Sequence, residues 1–136
     1  MSTIQVKWLD KLQFVGVDST RHSVVMSAPD EDNGIGVKPS DMLLLALGGC
    51  TAYDVVNILT KKRQPIADLE VVVVGEQAPD PPWAFTHIRL TYRLRGQGLS
   101  EKAVRDAIDL SKTKYCSVSA TLAAGVEIHT DFVIEE

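Results

Sequence analysis

Cys50 and Cys116 are the two cysteines of this chain and its first candidates for chemistry. A thiolate is a nucleophile and a metal ligand, whereas a free thiol near pH 7 is mostly protonated. In a reducing compartment, two cysteines far apart in sequence suit a transient redox pair better than a permanent staple. The plain alternative is that each is a small buried hydrophobe, as most free cysteines are. Local electrostatics ranks the pair. Cys50 lies deep in a helical stretch and gains little from a helix N-terminus. Cys116 stands at or just before a second helical run, so local physics alone makes it the more acidic thiol. Asp54 follows Cys50 by four residues and shares its helix face. A carboxylate there opposes a neighbouring thiolate, and its default reading is a group hydrogen-bonded or paired with a base.

Other chemistries find little support. His22, His87 and His129 are scattered, with no HExxH or paired-ligand spacing, so core or surface histidines are expected. The acidic run in PDEDNGIG (29–36) matches no calcium-loop pattern and reads as a solvated loop. Neither a Gly-rich phosphate loop nor a GxSxG elbow occurs. No cofactor and no metal is expected. A net charge of -4 argues against nucleic acid or an anionic membrane as main partner. The start, MSTIQVKWLD, has no basic segment leading into an apolar one, so a cytoplasmic protein is expected. With 136 residues, 45% hydrophobic and 24% charged, the chain fits one soluble domain, 1–136, able to bury a core.

The element that must carry Cys50 is KPSDMLLLALGGCTAYDVVNILTKKRQ (38–64). It has no charge between Asp41 and Asp54 and is apolar on nearly every side, which predicts a buried core helix. The uncharged part is shorter than the about 20 residues that a membrane span needs. Pro39 and Asp41 suit its start, and Lys61, Lys62 and Arg63 its end. Gly48 and Gly49 sit mid-helix, each at a cost of roughly 1 kcal/mol against alanine, so something must approach the helix closely there. Before it, Ile4–Trp8, Leu12–Val17 and His22–Met26 alternate as strands of a meander, with Gly16 a candidate bulge. After it, Leu69–Glu76 and Phe85–Arg95 read as antiparallel neighbours. In the second of these, Thr86, Ile88, Leu90, Tyr92 and Leu94 form the core face and the arginines the wet one. Ser100 caps an amphipathic helix with Ala103, Val104, Ala107, Ile108 and Ser111 inward. A short helix after Cys116 and a last strand from Val126 to Ile134 complete the order βββ-α-ββ-αα-β, an α+β domain.

Three segments, KPSDMLLLALGGCTAYDVVNILTKKRQ with Cys50, FTHIRLTYRL, and KYCSVSATLAAGVEI with Cys116, together resemble the OsmC/Ohr superfamily of thiol-dependent hydroperoxide reductases. The likeness covers almost the whole chain and is to the OsmC-like, YhfA-type branch. It implies an intertwined homodimer with the long helix buried centrally against an antiparallel sheet. It further implies a cysteine-based peroxidase acting in oxidative-stress defence, with an organic hydroperoxide as substrate and a dithiol as reductant. Cys50 matches the peroxidatic cysteine, which would become a sulfenic acid, and Cys116 the one that would close a disulfide with it. An arginine from the early hairpin should face the thiolate. Arg21 is the candidate, with a plain surface role as its alternative. The chain departs from the pattern at Ser40, where characterised peroxidases carry a glutamate, and at Ser117, where many members have proline. Ser40 leaves a second reading open: a non-enzymatic module on the same fold that binds a small apolar ligand or senses redox state.

Overall fold

A computed structural model describes the chain from Met1 to Glu136. Its elements are β1 (Gln5–Asp10), β2 (Gln13–Val17), β3 (Ser23–Ser27), α1 (Pro39–Lys61), β4 (Asp68–Gln77), β5 (Phe85–Arg95), α2 (Glu101–Leu110), a π-helical turn (Ser111–Tyr115), α3 (Ser117–Leu122) and β6 (Glu127–Glu135). The expected α+β order holds, and the π-helical turn is an addition to it. The elements group into two compact units, Met1–Leu43 and Leu44–Glu136.

The first unit is an antiparallel meander in the order β1-β2-β3. Lys11 turns the chain after β1 with φ 44. The Asp18 carboxylate accepts the backbone N–H groups of Thr20 and His22, closing the turn between β2 and β3. Gly16 is no bulge: it pairs in register with Val6 and Val24, and the irregularity falls between Trp8 and Asp10. Gly16 instead provides room, since a Cβ there would lie 3.2 Å from Met26 Cε. The acidic loop is tied down by Asn33. Its side chain accepts the Leu12 N–H at 2.9 Å and donates to Asp30 at 2.8 Å.

In the second unit β5 is the central strand of the order β4-β5-β6. β4 pairs with it antiparallel, as expected, but β6 runs parallel to it, so the sheet is mixed and not antiparallel throughout. The cause is the connection. α2, the π-helical turn and α3 carry the chain back along the sheet, and a crossover of that length is what a parallel neighbour requires. Ile88, Leu90, Tyr92 and Leu94 are buried from β5, while Arg89, Arg93 and Arg95 stay wet. Ser100 Oγ accepts the Ala103 N–H at 3.1 Å, and Ala103, Val104, Ala107 and Ile108 bring α2 into the core.

α1 departs from expectation in its cover. Its 23 residues and an 18-residue mean hydropathy of 1.7 would suit a membrane span by length and composition. Buried polar bonds from Thr51 mark it instead as a core helix. Within one chain, however, only Leu47, Gly48, Thr51, Val55 and Leu59 are buried, and Leu45 and Tyr53 are exposed. A single three-stranded sheet covers one stripe of a helix, so an all-round apolar helix keeps an open side. Gly48 explains one of the two glycines: a Cβ there would lie 3.1 Å from Val73 Cγ2 of β4. Gly49 faces open space.

Candidate functional site

The two cysteines, distant in sequence, meet in the second unit. Cys50 is half-buried on α1, and Cys116 is 2% exposed at the start of α3. Both are free thiols. Cys50 Sγ, Cys116 Sγ and a carboxylate oxygen of Asp54 all lie within 4.8 Å of one another. Cys50 and Asp54 arrive on one face of α1 through their four-residue spacing. Cys116 is brought to them by the π-helical turn. Its N–H donates to the Ser111 carbonyl at 2.8 Å, five residues back. Such single π turns recur at functional sites because the extra residue re-aims the side chains beyond it. Lys112 Nζ donates to the Ile128 carbonyl at 2.9 Å and ties the turn to β6.

A buried polar chain ends at the same place. Tyr92 Oη lies 2.7 Å from Thr51 Oγ1, and Ser111 Oγ lies 2.9 Å from both Thr51 Oγ1 and Asp54 Oδ2. An ionised carboxylate can only accept, so Ser111 donates to Asp54. Ser111 Oγ is the donor toward Thr51 Oγ1 as well, so its one hydrogen is shared between Thr51 and the carboxylate, and the Thr51–Tyr92 bond continues the chain into the core. Burial pushes the Tyr92 phenol up to about 12, keeping it a donor at neutral pH. The expectation for Asp54 is met by a hydroxyl, with no basic partner. Ser111 was expected to face inward, but its bond to Asp54 was not foreseen, nor were Thr51 and Tyr92. The available signal was polar residues at core-facing positions of α1 and β5, which need partners when buried.

The acidic Cys116 thiol expected from local helix electrostatics is not found. Cys116 does cap α3, and its sulfur accepts the Ser119 N–H at 3.3 Å. Burial nevertheless pushes its thiol up to about 11, helped by the Cys50 thiol beside it. Desolvation of the charged form outweighs a short helix end. Asp54 lines an open cleft of about 510 Å³ that mixes Tyr53, Ile58, Leu110 and Tyr115 with the polar Asn57, Lys61 and Lys62.

Arg21 belongs to the first unit. It lies exposed in the turn between β2 and β3 with φ 67, and no carboxylate pairs with it. Ser40 and Asp41 occupy the first turn of α1. His87 and His129 are surface groups, their Nε2 atoms 3.0 and 3.2 Å from the carboxylate of Glu127.

The long apolar helix, the thiol pair and the two small sheets define an OsmC-like protein, and the chain belongs to that family: its model, "OsmC-like protein", matches residues 29–131. Among curated relatives, Protein YhfA of Escherichia coli K12 is 41% identical over 124 residues, 91% of each chain. The OsmC-like protein of Mycoplasma pneumoniae shares the fold with a TM-score of 0.87 at 17% identity, over 100% of this chain and 98% of that one. The organic hydroperoxide resistance protein OhrB of Bacillus subtilis shares it at 0.65 and 11%, over 98% of each. Family membership is thus joined to a pair of adjacent free cysteines, groups capable of redox chemistry.

Proposed function

We propose that the protein reduces organic hydroperoxides with a dithiol donor, in oxidative-stress defence. The observation that carries this reading is the approach of two free thiols, one half-buried and one buried, to within 4.8 Å. The half-buried Cys50 is the thiol a peroxide can reach. Its thiolate attacks the distal oxygen of ROOH, the O–O bond breaks, and the departing alkoxide takes a proton to leave as alcohol. Cys50 is then a sulfenic acid. The Cys116 thiol attacks that sulfur, water leaves, and a disulfide forms. Closing to an S–S bond of about 2.05 Å requires local side-chain and backbone adjustment. A dithiol donor returns both cysteines to thiols by exchange. The apolar face of α1 beside Cys50 favours an alkyl or lipid-like hydroperoxide over hydrogen peroxide.

In this reading Arg21 stabilises the Cys50 thiolate, and the two units form one cytoplasmic OsmC-like domain, 1–136. The protein acts as an intertwined homodimer. Exposed Leu45, Tyr53 and Val56 on α1 and Val6 and Trp8 on β1 support that assembly.

Consumption of a tert-alkyl hydroperoxide with excess dithiol tests the mechanism. Cys50→Ser should consume none. Cys116→Ser should react once per subunit, leaving a sulfenic acid that a dimedone-type reagent traps. Arg21→Ala should slow the reaction about tenfold or more, roughly 1.4 kcal/mol of barrier. Wild type consuming hydroperoxide no faster than Cys50→Ser would sink the assignment. Ser40, in place of the family's glutamate, favours the second reading, a binding or redox-sensing module. That reading expects one oxidation per subunit and no turnover from the wild type.

A further inference from the structure

The site carries one feature that a peroxidase pair does not need. Asp54 stands beside both thiols with no lysine or arginine paired to it. Ser111 occupies its Oδ2 at 2.9 Å, and Oδ1 has no protein hydrogen-bond partner. We propose that Cys50 Sγ, Cys116 Sγ and the Asp54 carboxylate form a three-donor site for a soft divalent cation such as Zn²⁺ in the reduced protein.

The donor set suits that ion: thiolates select zinc over calcium or magnesium, and a carboxylate is an accepted third ligand. Zinc–sulfur bonds of about 2.3 Å place two sulfurs roughly 3.7 Å apart around a tetrahedral ion. Donors already within 4.8 Å of one another need only a small closure. Cys50 and Asp54 offer two ligands at i and i+4 of one helix, the spacing by which HExxH helices present their metal-binding pair. Cys116 adds the third from another element, and the fourth position stays open. Outer groups are in place as well. Ser111 holds the carboxylate, and the Ser119 N–H points at Cys116 Sγ from 3.3 Å. Two thiolates and a carboxylate total three negative charges, which a divalent cation reduces to one. Each thiol gives its proton to solvent as its sulfur–metal bond forms. Binding and the Cys50–Cys116 disulfide exclude each other, because the disulfide leaves no thiolate to ligate. The site requires reduced cysteines but no turnover, so it stands apart from the hydroperoxide reading.

The test adds Zn²⁺ alone to the fully reduced protein in competition with a chromophoric chelator, without peroxide. Co²⁺ in its place reports thiolate ligation through a sulfur-to-metal charge-transfer band. One ion per subunit, with that band present, is expected. Disulfide formation by diamide should abolish binding. Cys50→Ser should weaken the band and the affinity. Asp54→Asn should lose affinity at least as much as the roughly 10- to 100-fold typical of an outer-shell partner. His129→Ala should bind as wild type. A folded, reduced wild type that fails to compete with the chelator overturns the proposal. So does binding without the charge-transfer band, or unchanged affinity in Asp54→Asn or Cys50→Ser.

Discussion

The two sheets carry the same alternating pattern to opposite ends. In β5 every second residue from Ile88 to Leu94 disappears from solvent, with Ile88 at 0% and Leu90 at 2% exposure, while Thr86 at the strand's start is only half-buried. In β1 the apolar set remains open, with Val6 at 57% and Trp8 at 65%. Both strands have hydrogen-bonded neighbours in register. What differs is the layer above them. α1 and α2 close over the second sheet and make a core, while the first unit has no helix of comparable length to close over it. Alternation therefore marks an apolar face without saying what covers it.

The largest effect expected from this contrast is in the cores. Leu90→Ala should cost about 2–5 kcal/mol in urea unfolding, the cavity and transfer cost of a buried leucine. Val6→Ala should stay within about 0.5 kcal/mol if its face is wet. A larger loss in Val6→Ala, with a midpoint that depends on protein concentration, would show that a second chain covers the meander. Equal, concentration-independent losses at both sites would erase the contrast.

Hydroxyls sharpen it next. Ser111→Ala removes a buried donor that faces Asp54 and Thr51 and should cost about 1–3 kcal/mol. Thr20→Ala removes a hydroxyl bonded to Asp18 at 2.7 Å on the exposed turn, and should change stability by about 0.5 kcal/mol or less. Matching losses in thermal or urea unfolding would mean that burial does not distinguish the two bonds.

The pH limbs should separate Cys116 from Asp18 by sign. Cys116 is pushed up from 9.0 to about 11, mainly by burial. Its contribution is complete below pH 9.0 and is lost as pH rises through about 11. Tyr92, raised to about 12, acts in the same direction at still higher pH. Asp18, held below 3.8 chiefly by the His22 N–H, contributes above that value and loses its part as pH falls. Melting temperatures against pH should therefore show a flatter alkaline limb in Cys116→Ala and a flatter acid limb in Asp18→Asn. An alkaline limb unchanged in Cys116→Ala would remove the thiol from that account.

The smallest contrast lies along α1. Gly49→Ala should stabilise by up to about 1 kcal/mol, since the new methyl meets open space. Gly48→Ala should gain less or lose, because Val73 must yield from 3.1 Å. A gain at Gly49 that vanishes at high protein concentration would place a partner against that face.

Much of this was written in local pattern. Period-two runs marked β5 and its core face, Ser100 marked the start of α2, and the apolar run marked α1. These are nearest-neighbour regularities that a chain displays without its fold. Cys50, Asp54 and Cys116 were likewise legible as chemistry-bearing types; a resemblance paired the two cysteines, and the four-residue spacing put Asp54 beside Cys50. The parallel sense of β6 was not legible, because it depends on how far α2, the π-helical turn and α3 travel before the chain returns. Nor was the hydroxyl chain, since Thr51, Tyr92 and Ser111 meet across three elements whose separations no local rule contains. The acidity of Cys116 shows the difference most clearly. Its helix-start position was evident from the residues around it and suggested an acidic thiol. Its desolvation depends on what packs over it from distant parts of the chain, and that burial outweighs the few backbone dipoles of a short helix.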